Sequence, residues 1–438
     1  MSVTDTAPLL EALLARPVTR APWLDALRND ARVAFETQGL PGRRTEAWKY
    51  TRLSRLTDTV FMPTDGGNPP AELPDVVDDL DGYRVALVNG RVVPALSDLD
   101  ALPEGVFAAG LADLLDEAPE RVEPWLGAAM SLRDMPLAAI NTAGFADGVL
   151  IHAADGVKLD RPIHISSWTD GSGQSVASNP RLILVVGAGA SVDVVETHAG
   201  EGGYLVNAVA EAFVGKDGRL GHYKRQDEGP QGFHVAATAA TVEEGGLYDS
   251  FVLQTGASLA RNEIKVLLNG ETARCALNGA YAGLADQHLD NTTFIDHAVP
   301  DCESREVYKG VLADKARGVF QGKILVRRGA QHTDGHQLNR ALLLSRGAEV
   351  DSKPELEIYA DDVKCSHGAT AGELDPAQLF YLRARGIGET AARRILVEAF
   401  LKEVLDEIGD GRVRQAFEAT LERKLVTLAA ATGEGAAA

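Results

Sequence analysis

The chain lacks the features that define several large protein classes. It has only three cysteines in 438 residues, and their odd number and wide spacing exclude a disulfide framework. No Cys-x-x-Cys occurs, so there is no local zinc-binding or cluster-binding motif. No apolar run reaches the roughly 18 residues that a membrane-spanning helix needs, and the N-terminus does not resemble a signal peptide. We therefore expect a cytoplasmic protein.

Positive charge is also scarce. The chain has 43 Lys and Arg against 63 Asp and Glu, which gives a formal net charge of −20. Because phosphate binding needs a basic face, we expect neither nucleic acid nor an anionic membrane surface as a partner. No Gly-x-x-x-x-Gly-Lys-Ser/Thr, Gly-x-Ser-x-Gly or His-Glu-x-x-His is present. The chain is therefore not expected to hydrolyse a nucleotide through such a loop.

The apolar pattern divides the chain into segments of different texture. Hydrophobic residues make up 45% of the sequence, which indicates a globular protein. Helical spacing predicts an N-terminal helical domain over residues 1–80, followed by a mixed strand and helix connector over 81–147 with a hairpin at Asn89-Gly90. Amphipathic stripes predict a C-terminal helical domain over 366–428, and the Ala/Gly-rich tail 429–438 is expected to be disordered.

Residues 148–365 have a strand-rich pattern. Short runs of Val, Ile and Leu alternate with Gly/Asp turns, and helix-length amphipathic stretches are nearly absent. A turn-then-strand unit recurs at Gly189, Gly218, Gly246 and Gly270, roughly 24 to 29 residues apart, within the period of solenoids. Stacked units of this kind bury a continuous core, so the pattern favours a β-helix. A two-sheet sandwich with the same strand content remains the alternative.

Cys365 and His367 are the best candidate metal ligands. A thiolate and an imidazole suit borderline transition metals, and residues at i and i+2 of a strand face the same side. One such pair is too small to close a metal site, so further ligands must come from elsewhere in the chain or from another subunit. A cysteine at a strand end beside an ordinary hydrogen-bonded histidine is the alternative explanation.

Two other groups of polar residues are weaker candidates. His332 and His336 flank Thr333-Asp334-Gly335, and the Asp-Gly pair favours a turn with solvated histidines. The second group is a loose set of potential ligands in a stretch that we expect to be loop-rich. Its members are His288, Asp290, Asp296, His297 and Cys302. We favour ordinary polar roles in loops for these residues over a metal site.

Several long motifs resemble the SufB/SufD family of the SUF iron–sulfur cluster assembly system. Residues 350–370, together with 379–387, are similar to the C-terminal signature of this family. Residues 40–51 and 88–98 resemble its SufD branch in particular. From its composition, the segment 40–51 is either a structural elbow that packs onto the core or a contact surface for a partner. The motifs together span nearly the whole chain.

The resemblance implies a mainly β fold, with a right-handed parallel β-helix core flanked by N-terminal and C-terminal α-helical domains. It implies a non-catalytic scaffold subunit of the SufBCD complex, which supports iron acquisition and de novo cluster assembly at the SufB–SufD interface. SufB would pair through the β-helix, and a homodimer could form when the chain is alone. The ATPase SufC would drive assembly and dock on the C-terminal helices, at Phe380, Tyr381, Arg383, Arg385 and Gly386.

The resemblance also implies a role for the terminal pair. His367 corresponds to the family's histidine at the subunit interface, and Cys365 lies beside it as a further ligand. The cargo would be transient iron or an iron–sulfur cluster, with none held tightly by the isolated chain. The competing hypothesis is a β-helix enzyme that acts alone, similar to a polysaccharide lyase or an acyltransferase. The net charge of −20 disfavours an acidic polysaccharide as its substrate.

Overall fold

A computed structural model describes residues 7–14, 21–64, 66–67, 69–77 and 79–434 of the chain. The α-helices are α1 (Ala7–Leu14), α2 (Pro22–Gln38), α3 (Ser54–Thr57), α4 (Leu111–Glu117), α5 (Pro136–Gly144), α6 (Pro376–Ala384), α7 (Glu389–Leu405) and α8 (Gly411–Glu434). Short 3-10 helices cover Glu46–Trp48, Pro94–Leu96, Leu99–Ala101 and Pro119–Arg121. Among these residues, no helix combines the length and the apolar character required to cross a membrane.

The middle of the chain consists of strands. The first nine are β1 (Met62–Pro63), β2 (Tyr83–Val88), β3 (Arg91–Val92), β4 (Val106–Gly110), β5 (Gly148–Ala153), β6 (Ile163–Ser178), β7 (Arg181–Val186), β8 (Ser191–Val214) and β9 (Arg219–Gln226). The remainder are β10 (Gly232–Val242), β11 (Leu247–Gln254), β12 (Leu259–Leu268), β13 (Arg274–Gly283), β14 (His288–His297), β15 (Glu303–Leu312), β16 (Arg317–Val326), β17 (Asp334–Leu343), β18 (Glu349–Ile358) and β19 (Lys364–Gly372).

The strands form a parallel β-helix. From β9 onward each strand pairs in parallel with the strand two places later in the chain. Leu247 lies beside Arg274, which is 27 residues later (274 − 247), and Asp334 lies beside Lys364, which is 30 residues later (364 − 334). Each turn of the solenoid therefore contributes two strands. The predicted β-helix with helical ends is confirmed, and the sandwich alternative, which requires antiparallel sheets, is wrong.

The repeated Gly/Asp turns of the sequence stack at one corner of the solenoid. Asp217, Gly245, Thr272, Asp301 and His332 all have positive φ, between 55° and 66°. Backbone hydrogen bonds join successive turns, such as the one from the Asp217 N–H to the carbonyl of Glu244 at 2.8 Å. Gly and Asp adopt this left-handed conformation at low cost, which explains why they recur at the period of the solenoid.

The hairpin predicted at Asn89-Gly90 is present at the N-terminal side of the solenoid. Strands β2 and β3 pair antiparallel, with Val88 beside Arg91. Asn89 and Gly90 have φ values of 49° and 76°. Both central residues thus have the positive φ that a tight type I′ turn requires.

The segment 40–51 acts as an elbow that docks the N-terminal region onto the solenoid. Trp48 is 3% exposed, and the guanidinium of buried Arg261 lies 4.0 Å from its ring centroid. The side chain of Gln321 donates a hydrogen bond of 3.0 Å to the carbonyl of Ala47. Because these groups are already engaged within the chain, the structure favours the structural interpretation of this segment.

The C-terminal helices pack against the outside of the solenoid. Phe251 of β11 and Phe417 of α8 meet edge to face with their centroids 6.0 Å apart. Strand β19 ends at Gly372, so the predicted boundary between residues 365 and 366 falls inside the last strand. Helix α8 ends at Glu434, because alanine is the strongest helix former and extends the helix into the tail that was expected to be disordered. Residues 435–438 of that tail lie outside the described residues.

Candidate functional site at the end of the β-helix

Cys365 and His367 both lie on β19, the last strand of the solenoid. The parallel register places Cys365 beside Gly335 and His367 beside Gln337. Gln337 is 3% exposed and belongs to the set of alternate residues that point into the solenoid. Cys365 and His367 therefore each extend, by one turn, a column of stacked residues that face the inside of the solenoid. Both lie on the same side of β19, as their i, i+2 spacing predicts.

The Cys365 thiol borders the apolar core. It is half-buried and packs against the main hydrophobic cluster inside the solenoid. Gly335 has no side chain next to the thiol. A methyl group at that position would lie 3.6 Å from Cys365 Sγ and 3.3 Å from Ser304 Oγ, so the glycine keeps this space open. Burial raises the pKa of Cys365 above its ordinary value of 9.0. The sulfur is thus a protonated thiol at neutral pH, and a metal ion must displace that proton to bind.

His367 is exposed because no further turn covers the end of the solenoid. In the part of the chain that the structure describes, β18 pairs only with β16 and β19 only with β17, so each strand has one free edge. Ile358 and Tyr359 at the end of β18 are 39% and 59% exposed. Free strand edges beside exposed apolar side chains are typical of a surface that binds another chain.

A buried carboxyl group lies behind this end of the solenoid. Glu306 is beside Gln337 in the register and is 1% exposed. It faces Thr293, but neither carboxyl oxygen makes a hydrogen bond within the described residues. Burial raises the pKa of Glu306 to about 8. The sequence identifies Glu306 as buried only if one knows which alternate residues of β15 face the inside of the solenoid.

The second predicted ligand set is not brought together as a metal site. The stretch that was expected to be loop-rich is largely the regular strand β14, because its alternating residues pair with β12 and β16 on either side. Thr51 hydrogen-bonds to both His288 and Asp290, so this pair anchors the N-terminal region. His297 Nε2 lies 2.8 Å from Ser304 Oγ, and the buried Cys302 thiol donates to the Gly270 carbonyl at 3.4 Å. Asp296 instead forms an ion pair of 2.7 Å with Arg327.

His332 and His336 have the solvated roles that the sequence favours. Both are exposed. His332 lies in a turn with its Nδ1 at 3.0 Å from Asp301, and His336 lies in β17 with its Nε2 at 2.7 Å from Asp334. Their side chains do not converge on a common donor set.

The predicted docking residues lie on and just after α6. Asp375 caps this helix by accepting a hydrogen bond of 2.8 Å from the Ala377 N–H, and none of the helix residues is buried. Phe380 is 73% exposed and Tyr381 is 57% exposed. Arg385 donates a hydrogen bond of 2.8 Å to the Tyr381 hydroxyl, which fixes the ring in the exposed position.

The remaining docking residues are polar and exposed. Arg383 forms an ion pair of 3.3 Å with Glu389 of α7. Gly386 has a φ of 85° and ends the turn after α6, where an L-residue would be strained. The surface formed by Phe380, Tyr381, Arg383, Arg385 and Gly386, here called the α6 surface, thus presents two aromatic rings and two guanidinium groups to solvent.

Comparison with known proteins agrees with this architecture over most of the chain. The family described as "SufBD protein N-terminal region" matches residues 17–165, and "SUF system FeS cluster assembly, SufBD core domain" matches residues 168–400. The "Iron-sulfur cluster assembly protein SufD" of Escherichia coli is 32% identical over 392 residues, which cover 88% of this chain and 90% of the relative.

Two further relatives come from photosynthetic organisms. A protein of Synechocystis named as an iron-sulfur cluster assembly SufBD family protein is 30% identical over 394 residues, which cover 86% of each chain. The "Protein ABCI7, chloroplastic" of Arabidopsis thaliana is 30% identical over 417 residues, which cover 93% of this chain and 87% of the relative. The similarity therefore includes the solenoid and both helical ends.

Proposed function

This chain belongs to the SufBD family of iron–sulfur cluster assembly proteins, and from that premise we propose that it is the SufD-type scaffold subunit of a SufBCD complex. It has no catalytic activity of its own, and it supports iron acquisition and de novo cluster assembly at its interface with SufB. The observation that carries this proposal is the position of Cys365 and His367 on the uncovered last strand of the solenoid.

The proposed site is divided between two chains. Cys365 and His367 provide a sulfur and a nitrogen donor, whereas the irons of a cluster need more ligands than this pair can supply. The free edges of β18 and β19 allow a second solenoid to add its own terminal strands, and Ile358 and Tyr359 supply apolar contact. SufB would contribute the remaining ligands from that position. The iron or cluster is then a transient cargo that neither chain holds tightly alone.

The α6 surface is the proposed docking site for SufC. Helix α7, which follows α6, is fixed to the solenoid by buried Lys309, which forms an ion pair of 2.5 Å with Glu403 and donates a hydrogen bond of 3.2 Å to the carbonyl of Phe400. A displacement of the docked ATPase is therefore transmitted through α7 to β15. Such a movement can open and close the divided site, so that ATP hydrolysis by SufC drives cargo release.

The test is anaerobic reconstitution with SufB and SufC of wild-type chain, of His367→Ala and of His336→Ala. His336 is the matched control, because it is an exposed histidine on β17 that points to the outer side of the solenoid. We expect both variants to form the complex, and only His367→Ala to lose most of the bound iron and sulfide. Equal iron and sulfide in His367→Ala and wild type would contradict the proposal.

The alternative function, a β-helix enzyme that acts alone, makes a different prediction. Such an enzyme would turn over a polysaccharide or acyl substrate without any partner, whereas a scaffold subunit requires SufC and ATP for its output. Family membership favours the scaffold. The same end surface would support a homodimer of the isolated chain, and the cytoplasmic location expected from the sequence stays a prediction.

A further inference from the structure

We propose that His198, Glu228 and His234 bind a divalent transition-metal ion inside the solenoid, at a site separate from its uncovered end. His198 lies on β8, Glu228 follows β9 and His234 lies on β10, and all three are at most 4% exposed. One donor atom from each lies within 4.8 Å of the donor atoms of the other two. In the described part of the chain, no other group of three His, Cys, Asp or Glu side chains converges in this way.

The hydrogen bonding of His234 leaves one nitrogen lone pair free. Its Nδ1 lies 2.8 Å from Glu228 Oε1, and a carboxylate can only accept, so Nδ1 carries the proton. Nε2 is then an unprotonated nitrogen, and within the described residues it has no hydrogen-bond donor. The free lone pair of Nε2 can take the proton from Nδ1, which leaves Nδ1 and the carboxylate of Glu228 to bind a metal ion between them.

His198 is oriented by a second carboxylate. Its Nε2 lies 3.1 Å from Glu196 Oε2, and its Nδ1 has no hydrogen-bond partner in the described structure. The two imidazole rings lie edge to face with centroids 4.8 Å apart. His222 in the same network differs, because Glu196 at 2.8 Å and Tyr248 at 2.9 Å satisfy both of its nitrogens. A carboxylate that holds one ring nitrogen is the usual support for a histidine that binds metal through the other.

The charges around the cluster favour a cation. The two oxygens of Glu196 lie 3.1 Å from His198 Nε2 and 2.8 Å from His222 Nε2. The carboxylate of Glu228 is 4% exposed and lies 2.8 Å from His234 Nδ1. Two buried carboxylates therefore face one buried ammonium, that of Lys224 at 3.4 Å from Glu196. The excess negative charge lies beside the donor atoms of His198, Glu228 and His234, which converge within 4.8 Å.

The donor set indicates which ions fit. Each oxygen of Glu228 keeps a second lone pair for a metal, although one accepts from His234 and the other from Gln226. Two imidazoles and one carboxylate suit Fe²⁺, Co²⁺ or Zn²⁺ rather than Mg²⁺ or Ca²⁺, which prefer oxygen ligands throughout. Side-chain rotations that move each donor atom by about 1 Å bring the three donors to the roughly 2.1 Å metal–ligand distance of such sites.

The burial of the site sets how the ion enters. Because the three side chains are sealed inside the solenoid, the ion binds as the chain folds and dissociates slowly afterwards. It would therefore be a resident ion, unlike the transient cargo proposed for the end of the solenoid. This inference does not depend on the proposed function.

The test is to express the chain in medium supplemented with Co²⁺, treat it with a chelator, desalt it and measure bound cobalt, iron and zinc. Every protein carries Cys365→Ser and His367→Ala, so that the end of the solenoid does not contribute. We expect one retained ion per chain, with the visible absorption of nitrogen-coordinated Co²⁺. Adding His198→Gln and His234→Gln should abolish retention, whereas the matched exposed pair His332→Gln and His336→Gln should not change it.

Loss of retention only in the His198/His234 variant supports the site. The proposal would be overturned if the protein that carries only Cys365→Ser and His367→Ala retained no ion. It would also be overturned if the His198/His234 and His332/His336 variants retained equal amounts. If the His198/His234 variant does not fold, crystals of the cobalt-loaded wild-type chain decide the question by anomalous scattering. A peak between the two rings supports the proposal, and a map without that peak refutes it.

Discussion

His367 lies directly beside Gln337 in the parallel register, yet Gln337 is 3% exposed whereas His367 is open to solvent. The difference arises because the strand of Gln337 has a neighbour on each side and the strand of His367 has only one in the described structure. The interior column of the solenoid therefore ends in an accessible imidazole. A second chain that covered this end would bury His367 as Gln337 is buried now.

Tyr359→Arg tests the end of the solenoid as a binding surface. Tyr359 is 59% exposed beside the free edge of β18, so the substitution should leave the fold intact while it replaces the aromatic ring of the interface with a charged side chain. We expect the dissociation constant for SufB to rise about tenfold or more, measured by calorimetry. The control is Val60→Arg, at a side chain that is 66% exposed in the N-terminal region. Equal affinities of the two variants would argue against this surface.

Phe380→Asp tests the α6 surface. Phe380 is 73% exposed on a helix that buries none of its residues, so the thermal midpoint should not change. Loss of an aromatic anchor should weaken binding of SufC about tenfold or more. Val426→Asp on α8, at 59% exposure, is the matched control. Pull-down and calorimetry with SufC measure the effect, and normal binding by Phe380→Asp would show that SufC docks elsewhere.

Charge reversal at Arg383 and Arg385 addresses the polar part of the same surface. Arg383 pairs with Glu389 at 3.3 Å and Arg385 holds Tyr381 at 2.8 Å, so reversal removes two cations and releases the ring. We expect the variant to bind SufC more weakly than wild type. The difference should shrink at high salt, since screening reduces the electrostatic part of the binding free energy. A pull-down of unchanged strength at low salt would exclude a role for these charges.

Glu306→Gln should change how stability depends on pH. The folded state raises the pKa of Glu306 from an ordinary 4.5 to about 8, so it retains a proton that the unfolded chain releases. This contribution to stability is fully present below pH 4.5 and is lost as the pH rises to about 8. The loss in the wild type is on the order of 5 kcal/mol at most.

The glutamine variant cannot ionise, so its free energy of unfolding should fall less over this range. Urea unfolding at several pH values, compared with wild type, measures the difference. Glu303→Gln is the control, because Glu303 is exposed on the same strand. Parallel pH profiles for wild type and Glu306→Gln would contradict the assigned pKa shift.

Glu211→Gln should destabilise the N-terminal side of the solenoid strongly. Glu211 pairs with Arg181, both side chains are fully buried, and Glu211 also accepts hydrogen bonds from the N–H groups of Gly127 and Ala129. Removal of its charge leaves a buried guanidinium uncompensated, which costs about 3–5 kcal/mol.

Urea unfolding provides the comparison. The exposed pair of Lys216 and Glu244, at 2.9 Å with 58% exposure of each side chain, is the control, and Glu244→Gln should cost under about 1 kcal/mol. Similar costs for the two substitutions would show that burial does not decide the contribution of these ion pairs.

Local signals in the sequence predicted the elements that local physics controls. The Asn89-Gly90 turn has the two positive φ values that its residue types favour, and Asp375 caps α6 through its own side chain. The recurring Gly/Asp turns predicted the solenoid, because each turn repeats the same backbone requirement. These features depend on a few consecutive residues, so they could be inferred without the tertiary structure.

Contacts between turns of the solenoid could not be inferred in the same way. The sequence pattern placed His288 and Asp290 in a loop-rich stretch, but pairing with strands on both sides makes this segment the regular strand β14. The sequence pattern also gave no indication that Glu306 would be buried. The register of a parallel pair joins residues about 30 positions apart, and no local propensity specifies which residue lies beside which.

The sequence by itself determined the repeat, the helical ends, the family motifs and the spacing of Cys365 and His367, because each is a property of residues near one another in the chain. Only the tertiary structure decided that His367 ends an otherwise buried column and that His198, Glu228 and His234 converge inside the solenoid. The physical reason is the stacking of turns. It brings distant residues within a few ångströms, and the covering strand, rather than the residue type, then sets which polar groups meet water.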